Sequence, residues 1–253
     1  MSPREALQQE NLMHDALAAL PPQRPGVLDV YIIAAAFWGD PVFEREASQA
    51  ADILAQHFGA AGHVIILSQG SGDGQRRYPA ATPANLQAAL ARVGEVMDPN
   101  EDLAVIFLTS HGSPDGSIAL LEQRRLGGAL HPPNLRDALV DAGIRNRLVI
   151  VSACFSGAFI APLMDDNTVV LTAAAPDRTS FGCQPTRDWT YFGDAFFNHA
   201  LRGGAGIIAG YDQATTLISQ WEREQHLTPS NPQRFVGTQG AQMVQRAERA
   251  ARH

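Results

Sequence analysis

The sequence predicts an α/β protein, a three-layer domain with a roughly six-stranded, mostly parallel sheet between helices. Two observations carry this. Short continuous apolar runs, of which Leu103-Ala104-Val105-Ile106-Phe107-Leu108-Thr109-Ser110 and Leu148-Val149-Ile150-Val151-Ser152-Ala153 are the clearest, suit strands buried on both faces, as in a sheet covered by helices. Between these runs lie segments of helical periodicity, so strands and helices alternate along the chain without an internal repeat or low-complexity tract.

Taken in order, residues 3–20 place Leu7, Leu12, Met13, Ala16, Leu17 and Leu20 at helical spacing, and Pro21-Pro22 ends the pattern. Residues 1–26 are therefore read as a helical arm and linker, and 27–253 as one domain with a C-terminal helical segment. Val27 to Phe37 is the first central strand, rich in Val, Tyr and Ile before its alanines. Trp38-Gly39-Asp40-Pro41 is a turn. An amphipathic helix from about Val42 to Phe58 follows, closed by Gly59 and Gly62, and Val64-Ile65-Ile66-Leu67 completes a βαβ unit. Gly70, Gly72 and Gly74 match neither phosphate-binding pattern and read as a surface loop. Thr82-Pro83 opens a helix toward Met97, with threonine as N-cap and proline at the first helical position. Gly112 to Gly116 is turn chemistry, and a helix spans about Asn134 to Ala142. Thr168 to Thr172 is a fifth strand and Gly206-Ile207-Ile208-Ala209-Gly210 a sixth, with a helix from Phe192 to Leu201 between them and another from about Gly237.

Nineteen basic against 26 acidic residues give a net charge of −7 with no run of Lys or Arg, which argues against nucleic acid as a partner. Cys154 and Cys183 are the only cysteines, so no disulfide framework carries the fold, and the sequence leaves open a single bridge between the two. No apolar segment approaches the roughly 20 residues that span a bilayer, and the first residues lack a signal peptide's pattern. As it stands the chain is expected in the cytoplasm; removal of a leader or anchor from its start would make it periplasmic or membrane-anchored. The sequence leaves its oligomeric state open. Neither His-Glu-x-x-His nor Cys-x-x-Cys occurs, so no metal or cofactor is expected, and Asp165-Asp166-Asn167 reads as a solvated turn rather than a calcium loop. No Gly-x-Ser-x-Gly elbow promotes Ser156 to a nucleophile. His131 and His199 read as structural.

The two clearest strands end in reactive residues. One stops at His111-Gly112 and the other at Cys154-Phe155-Ser156-Gly157, about forty positions on, enough for one crossover between parallel neighbours. Parallel strands would bring His111 and Cys154 out together at the carboxyl edge of the sheet, where open α/β sheets place their ligands. A Cys/His pair there is a thiol nucleophile with its base.

The motifs as a set resemble the legumain, or asparaginyl endopeptidase, family of cysteine peptidases in the caspase-like clan. Ser110-His111-Gly112 is similar to the family's His-Gly, and Ser152-Ala153-Cys154-Phe155-Ser156-Gly157 to its Glu-Ala-Cys-Glu-Ser-Gly. Leu171 to Ala175, Thr179-Ser180-Phe181-Gly182-Cys183 and Tyr191-Phe192-Gly193-Asp194 resemble its strand, Ser-Ser loop and Leu-Gly-Asp helix start. Thr82-Pro83-Ala84-Asn85 resembles its Thr-Pro-x-Asn. The resemblance is collinear from about Val27 to Gly210 and closer to bacterial members than to the animal or plant enzymes.

It implies a caspase-like fold and a cysteine endopeptidase acting on peptide or protein substrates, with Cys154 as nucleophile, His111 as general acid and base, and the N–H groups of Gly112 and Cys154 as the oxyanion site. It implies a substrate pocket at Arg45, Ser152, Thr179, Ser180 and Asp194, with Asn or a basic residue before the scissile bond. Ser152 replaces the family's Glu, and Ala34-Ala35-Ala36 stands where the family carries a third site residue, an Asn. The tail after Gly210 is too short for the inhibitory prodomain of the animal and plant enzymes. A transpeptidase using the same dyad and a non-catalytic binding or scaffold domain are the alternatives.

Overall fold

Strand β1, Val30–Ala36, is buried along its whole length, so the chain begins its sheet in the centre rather than at an edge. A computed structural model describes residues 2–70, 76–122 and 125–252, with backbone alone at 122, 125 and 126; Gly72 and Gly74 lie outside the described residues. Helix α1, Pro3–Ala18, precedes β1, and Ser2 and Glu5 form a capping box at its start. After β1 come α2, Pro41–Phe58, and β2, Val64–Ser68. Gly59 ends α2 at φ +63°, a left-handed conformation that suits glycine. Helix α3, Pro83–Val96, starts on the Thr82 cap as expected and returns the chain to β3, Leu103–Thr109, on the other side of β1.

A short hairpin follows, β4 at Ile118–Glu122 and β5 at Arg125–Leu130, then α4, Pro132–Asp141, and β6, Arg147–Ser152. A 3₁₀ turn, Ser156–Phe159, and α5, Ile160–Leu163, lead to β7, Thr168–Thr172. Helix α6, Tyr191–Gly193, runs into a π-helix, Asp194–Leu201, and the chain closes with α7, Ile207–Glu224, β8, Gln233–Val236, and α8, Thr238–Ala250.

The main sheet has six strands in the order β2-β1-β3-β6-β7-β8, all parallel except β8. This is the mixed α/β layer architecture that the apolar runs predict. The sixth strand is a correction. Gly206 to Gly210 is the first turn of α7, whose Ile207, Tyr211, Ala214 and Ile218 are buried at helical spacing. A five-residue apolar run cannot be told from a helix start by local pattern, and the period resolves only further along. The sixth strand is instead β8, more exposed and antiparallel.

Alternate side chains divide between two cores. Val30, Ile32, Ala34, Leu103, Val105, Phe107, Leu148 and Ile150 face the layer of α2, the π-helix, α7 and α8. Tyr31, Ile33, Ala35, Ala104, Ile106, Leu108, Val149 and Val151 face the layer of α1, α3, α4 and α5. The chain leaves β1 toward β2 on one side and returns to β3 on the other, so the strand order reverses beside β1. The loops leaving β1, β3 and β6, three adjacent strands, therefore open at one edge.

Candidate active site

Residues 110 to 112 leave β3 and are stitched to the hairpin. The Ala119 N–H donates to the His111 carbonyl at 2.9 Å, Ser110 Oγ donates to the Ala119 carbonyl at 2.8 Å, and Gly112 bridges Ile118. The Leu121 N–H donates to the Phe37 carbonyl at 3.0 Å, tying the same hairpin to the loop after β1. The sequence showed no hairpin here, because the glycines of Leu126-Gly127-Gly128-Ala129 dilute any strand signal.

The His111 ring stands edge-on to Trp38 at 5.3 Å and to Phe43 at 5.0 Å, and its Nε2 faces Asp40 Oδ2 at 3.3 Å. Asp40 is the N-cap residue of α2, yet its side chain caps no backbone N–H of that helix. Its carboxylate stands toward the imidazole instead.

Cys154 follows β6 at a sharp corner. Phe155 has φ +58°, an uncommon left-handed conformation for a bulky residue, and its N–H donates to the Arg178 carbonyl at 2.7 Å. The Cys154 sulfur accepts from the Ser180 N–H at 3.2 Å and lies 3.5 Å from the Ser180 carbonyl. Gly112 lies directly against this corner: a Cβ there would stand 1.9 Å from the Cys154 carbonyl oxygen and 3.1 Å from its nitrogen. Only glycine fits so close an approach. Among the described residues, neither the Gly112 nor the Cys154 N–H donates to a protein acceptor.

The other predicted residues fall in four places. Ser180 holds the cysteine sulfur, while Thr179 beside it is exposed. Ser152 is buried, with its hydroxyl 3.1 Å from that of Thr190. Arg45 spans the loop before α6, donating to the carbonyls of Pro185 at 2.6 Å and Arg187 at 2.5 Å and pairing with Asp188 at 3.1 Å. Asp194 accepts from Asn198 Nδ2 at 2.7 Å and lies 3.9 Å from Arg187 and 3.6 Å from His199, in a small hollow of about 120 Å³ lined also by Tyr191, Trp221 and Gln225. The cap of α6 is Thr190, whose side chain accepts from the Gly193 N–H. A larger hollow of about 700 Å³ lies elsewhere, between α1, α2 and β2, and none of the dyad or pocket residues lines it.

Two residues of this edge escaped the sequence reading. Asp40 read as part of a turn before Pro41. Glu46 had no reading of its own within the amphipathic helix; it is fully buried, and burial pushes its carboxyl up to about 7 against the hydrogen bonds from Thr109, Thr190 and Ser152. Its place in the pattern was the available signal, since it falls between Phe43, Ala47 and Ala50 on the apolar side of α2. Among the described residues no group of His, Cys, Asp and Glu side chains could hold a metal ion, and no helix is long and apolar enough to cross a membrane.

A histidine loop and a cysteine loop from neighbouring parallel strands of a six-stranded sheet, with helices on both faces, define a caspase-like protein. The structure is similar to caspase-1 from Spodoptera frugiperda with a TM-score of 0.57 and 12% identity, over 86% of this chain and 93% of that one, a likeness that shows the fold. Within that class the chain belongs to the peptidase C13 family, the legumain family of cysteine peptidases, whose match covers residues 77–240. His111 and Cys154 lie inside the matched span and Asp40 and Glu46 outside it. No curated protein sequence matches the chain.

Proposed function

We propose that the protein is a cysteine endopeptidase that works through Cys154 and His111. The approach of Gly112 to the Cys154 backbone carries this reading. It brings two backbone N–H groups, without protein acceptors among the described residues, to the corner that holds the thiol, the donor pair an oxyanion requires.

In the proposed cycle the Cys154 thiolate attacks the scissile carbonyl, and the oxyanion is held by the N–H groups of Gly112 and Cys154. With Nε2 turned to Asp40, Nδ1 is the nitrogen of His111 left to pass a proton to the departing amine. The C–N bond breaks, leaving a thioester on Cys154. Water then attacks the thioester while His111 takes its proton, and the peptide acid leaves with the Cys154 thiolate and the protonated His111 restored. A peptide amine in place of that water would give transpeptidation. Asp40, with Trp38 and Phe43 against the ring, positions His111, the role the Ala34-Ala35-Ala36 segment left without a candidate.

For the residue before the scissile bond we propose Asn or a basic side chain. Arg45 supports this, because its guanidinium is committed to the carbonyls of Pro185 and Arg187 and to Asp188. The Asp194 carboxylate is then opposed in the pocket by Arg187, 3.9 Å away, and not by Arg45 as well.

The test is a panel of peptides with Asn, Asp, Lys or Arg before the scissile bond, together with a thiol-directed peptide probe. Cleavage of at least one peptide, lost in Cys154→Ala and lowered by about 10²-fold or more in His111→Ala, is the expected result. No cleavage and no labelling of Cys154 in the folded protein would leave the binding or scaffold reading.

A further inference from the structure

The rows of side chains that face α2 are apolar until their ends. On β3 the row runs Leu103, Val105, Phe107 and then Thr109; on β6 it runs Leu148, Ile150 and then Ser152. Thr109 and Ser152 are paired in register. His111 and Cys154 each lie two residues further on. The hydroxyl-bearing pair at the ends of both strands is buried under α2, and there it meets Glu46.

The Glu46 carboxylate accepts from the Thr109 hydroxyl on one oxygen. Its other oxygen accepts from the Thr190 hydroxyl at 2.5 Å and the Thr190 N–H at 3.3 Å. The Ser152 hydroxyl, 3.1 Å from that of Thr190, adds to the donors that favour the ionised form. Gly193 lies so near that a Cβ there would stand 2.0 Å from Glu46 Oε1. Both oxygens are thus committed within the protein, and the residue has no exposed surface. A substrate side chain has no access to it.

Three elements converge on this carboxylate: the end of β3 before His111, the end of β6 before Cys154, and the close of the loop that starts at Ser180, whose N–H holds the Cys154 sulfur. Helix α2 places it. Asp40, Phe43 and Glu46 are spaced three residues apart from the N-cap onward, and the first two touch His111 while the third fastens the strand ends beneath it. A buried carboxylate with hydrogen bonds to separate elements fixes their relative places more firmly than apolar packing, because each donor loses its partner if an element shifts.

Resting on the peptidase reading of Cys154 and His111, we propose that Glu46 is the positioning residue for that pair, fastening the β3 and β6 ends and the Ser180–Thr190 loop into one geometry. The other ionisable groups around it are Asp40 and Arg45 on α2, His111 and Cys154 beyond the strand ends, Cys183 on the loop and Asp194 on the π-helix. No hydrogen bond or ion pair joins any of them to Glu46 among the described residues. Cys183 registers its presence: burial first, and then the charges of Cys154, Glu46 and Asp40, push that thiol up to about 12.

Glu46→Gln keeps the shape and one acceptor oxygen but puts an NH₂ where the second oxygen receives a donor. Thr109→Val removes the opposite end of the same bond. Both variants and the double variant are compared with wild type in peptide hydrolysis and in the alkylation of Cys154 by iodoacetamide, followed by mass spectrometry that resolves Cys154 from Cys183. Circular dichroism selects folded protein. The expected result is a fall of about 10- to 100-fold in kcat with KM within about twofold in each single variant. A slower alkylation of Cys154 should accompany it, and the double variant should be no worse than the singles, since both break one contact. The alkylation readout needs no peptidase activity: if wild type cleaves nothing but the variants still alkylate more slowly, the peptidase reading falls and the positioning role stands. Wild-type alkylation rates in whichever folded single variants are obtained would overturn the proposal, as would additive losses in the double variant.

Discussion

Asp40 Oδ2 stands 3.3 Å from His111 Nε2, across a sequence separation of 71 residues, and it does so from an N-cap position whose side chain caps nothing. An aspartate there ordinarily accepts a backbone N–H of the first turn. Its orientation toward the imidazole separates the functional role from the helical one. Asp40→Ala should therefore lower kcat by about 10- to 100-fold while costing less than the roughly 1 kcal/mol of a lost cap. Asp40→Asn should retain more activity than Asp40→Ala. Steady-state kinetics beside a chemical denaturation curve checks both halves, and a stability loss without a kcat loss would reassign Asp40 to the helix.

Gly112 is held against the Cys154 carbonyl with no room for a methyl group. Gly112→Ala must push the histidine loop off the cysteine corner. The rate should fall by about 10²–10³-fold, the usual cost of a lost oxyanion donor, with peptide affinity less affected. A Gly112→Ala protein with wild-type kcat would remove this N–H from the proposed oxyanion site.

Arg45 grips the loop before α6 from helix α2, and Asp194 follows that loop at the start of the π-helix. Arg45→Ala releases the carbonyls of Pro185 and Arg187, so it should raise KM for all peptides and hasten proteolytic nicking between 183 and 190. Asp194→Ala should instead narrow the difference between peptides with basic and acidic residues before the scissile bond. Because the Asp194 carboxylate also holds Asn198, a drop in melting temperature with an unchanged preference would make it structural. The peptide panel and a thermal melt on each variant distinguish these outcomes.

Glu46 gives a prediction in pH. Its carboxyl is raised from the ordinary 4.5 to about 7 by burial, so the folded protein holds a proton there that the unfolded chain has released. The stabilising contribution is complete below pH 4.5 and disappears as the pH rises through 7, a change of about 3 kcal/mol for this one group. Glu46→Gln has no such titration. The stability of Glu46→Gln relative to wild type should thus increase by about 3 kcal/mol between pH 4 and pH 8, measured by denaturant unfolding. Parallel curves would show that Glu46 does not titrate in the folded protein over that range.

A carboxylate that makes the protein less stable at neutral pH is consistent with a residue retained for geometry. Buried charge of this kind is costly unless its hydrogen bonds are complete, and the donors from Thr109, Thr190 and Ser152 supply them. The same logic bears on Ser152: a carboxylate at that position would face Glu46 across a buried hydrogen-bond cluster.

The sequence by itself determined the layers of the fold, the central strands and the two residues proposed for the chemistry. Those features are local. A strand buried on both faces is written as a continuous apolar run, and a residue that ends such a run has a known place at the sheet edge. Register and packing decided the rest. Gly206 to Gly210 reads as a strand until the helical burial of Tyr211, Ala214 and Ile218 is seen, and the hairpin under His111 is hidden by its glycines. Asp40 looks like a turn residue and Glu46 like one more position of an amphipathic helix, because a side chain's partners across 71 or 63 positions have no local signature. Only the docking of α2 across the ends of β3 and β6 brings Asp40 to His111 and Glu46 to Thr109, and that docking belongs to the tertiary structure alone.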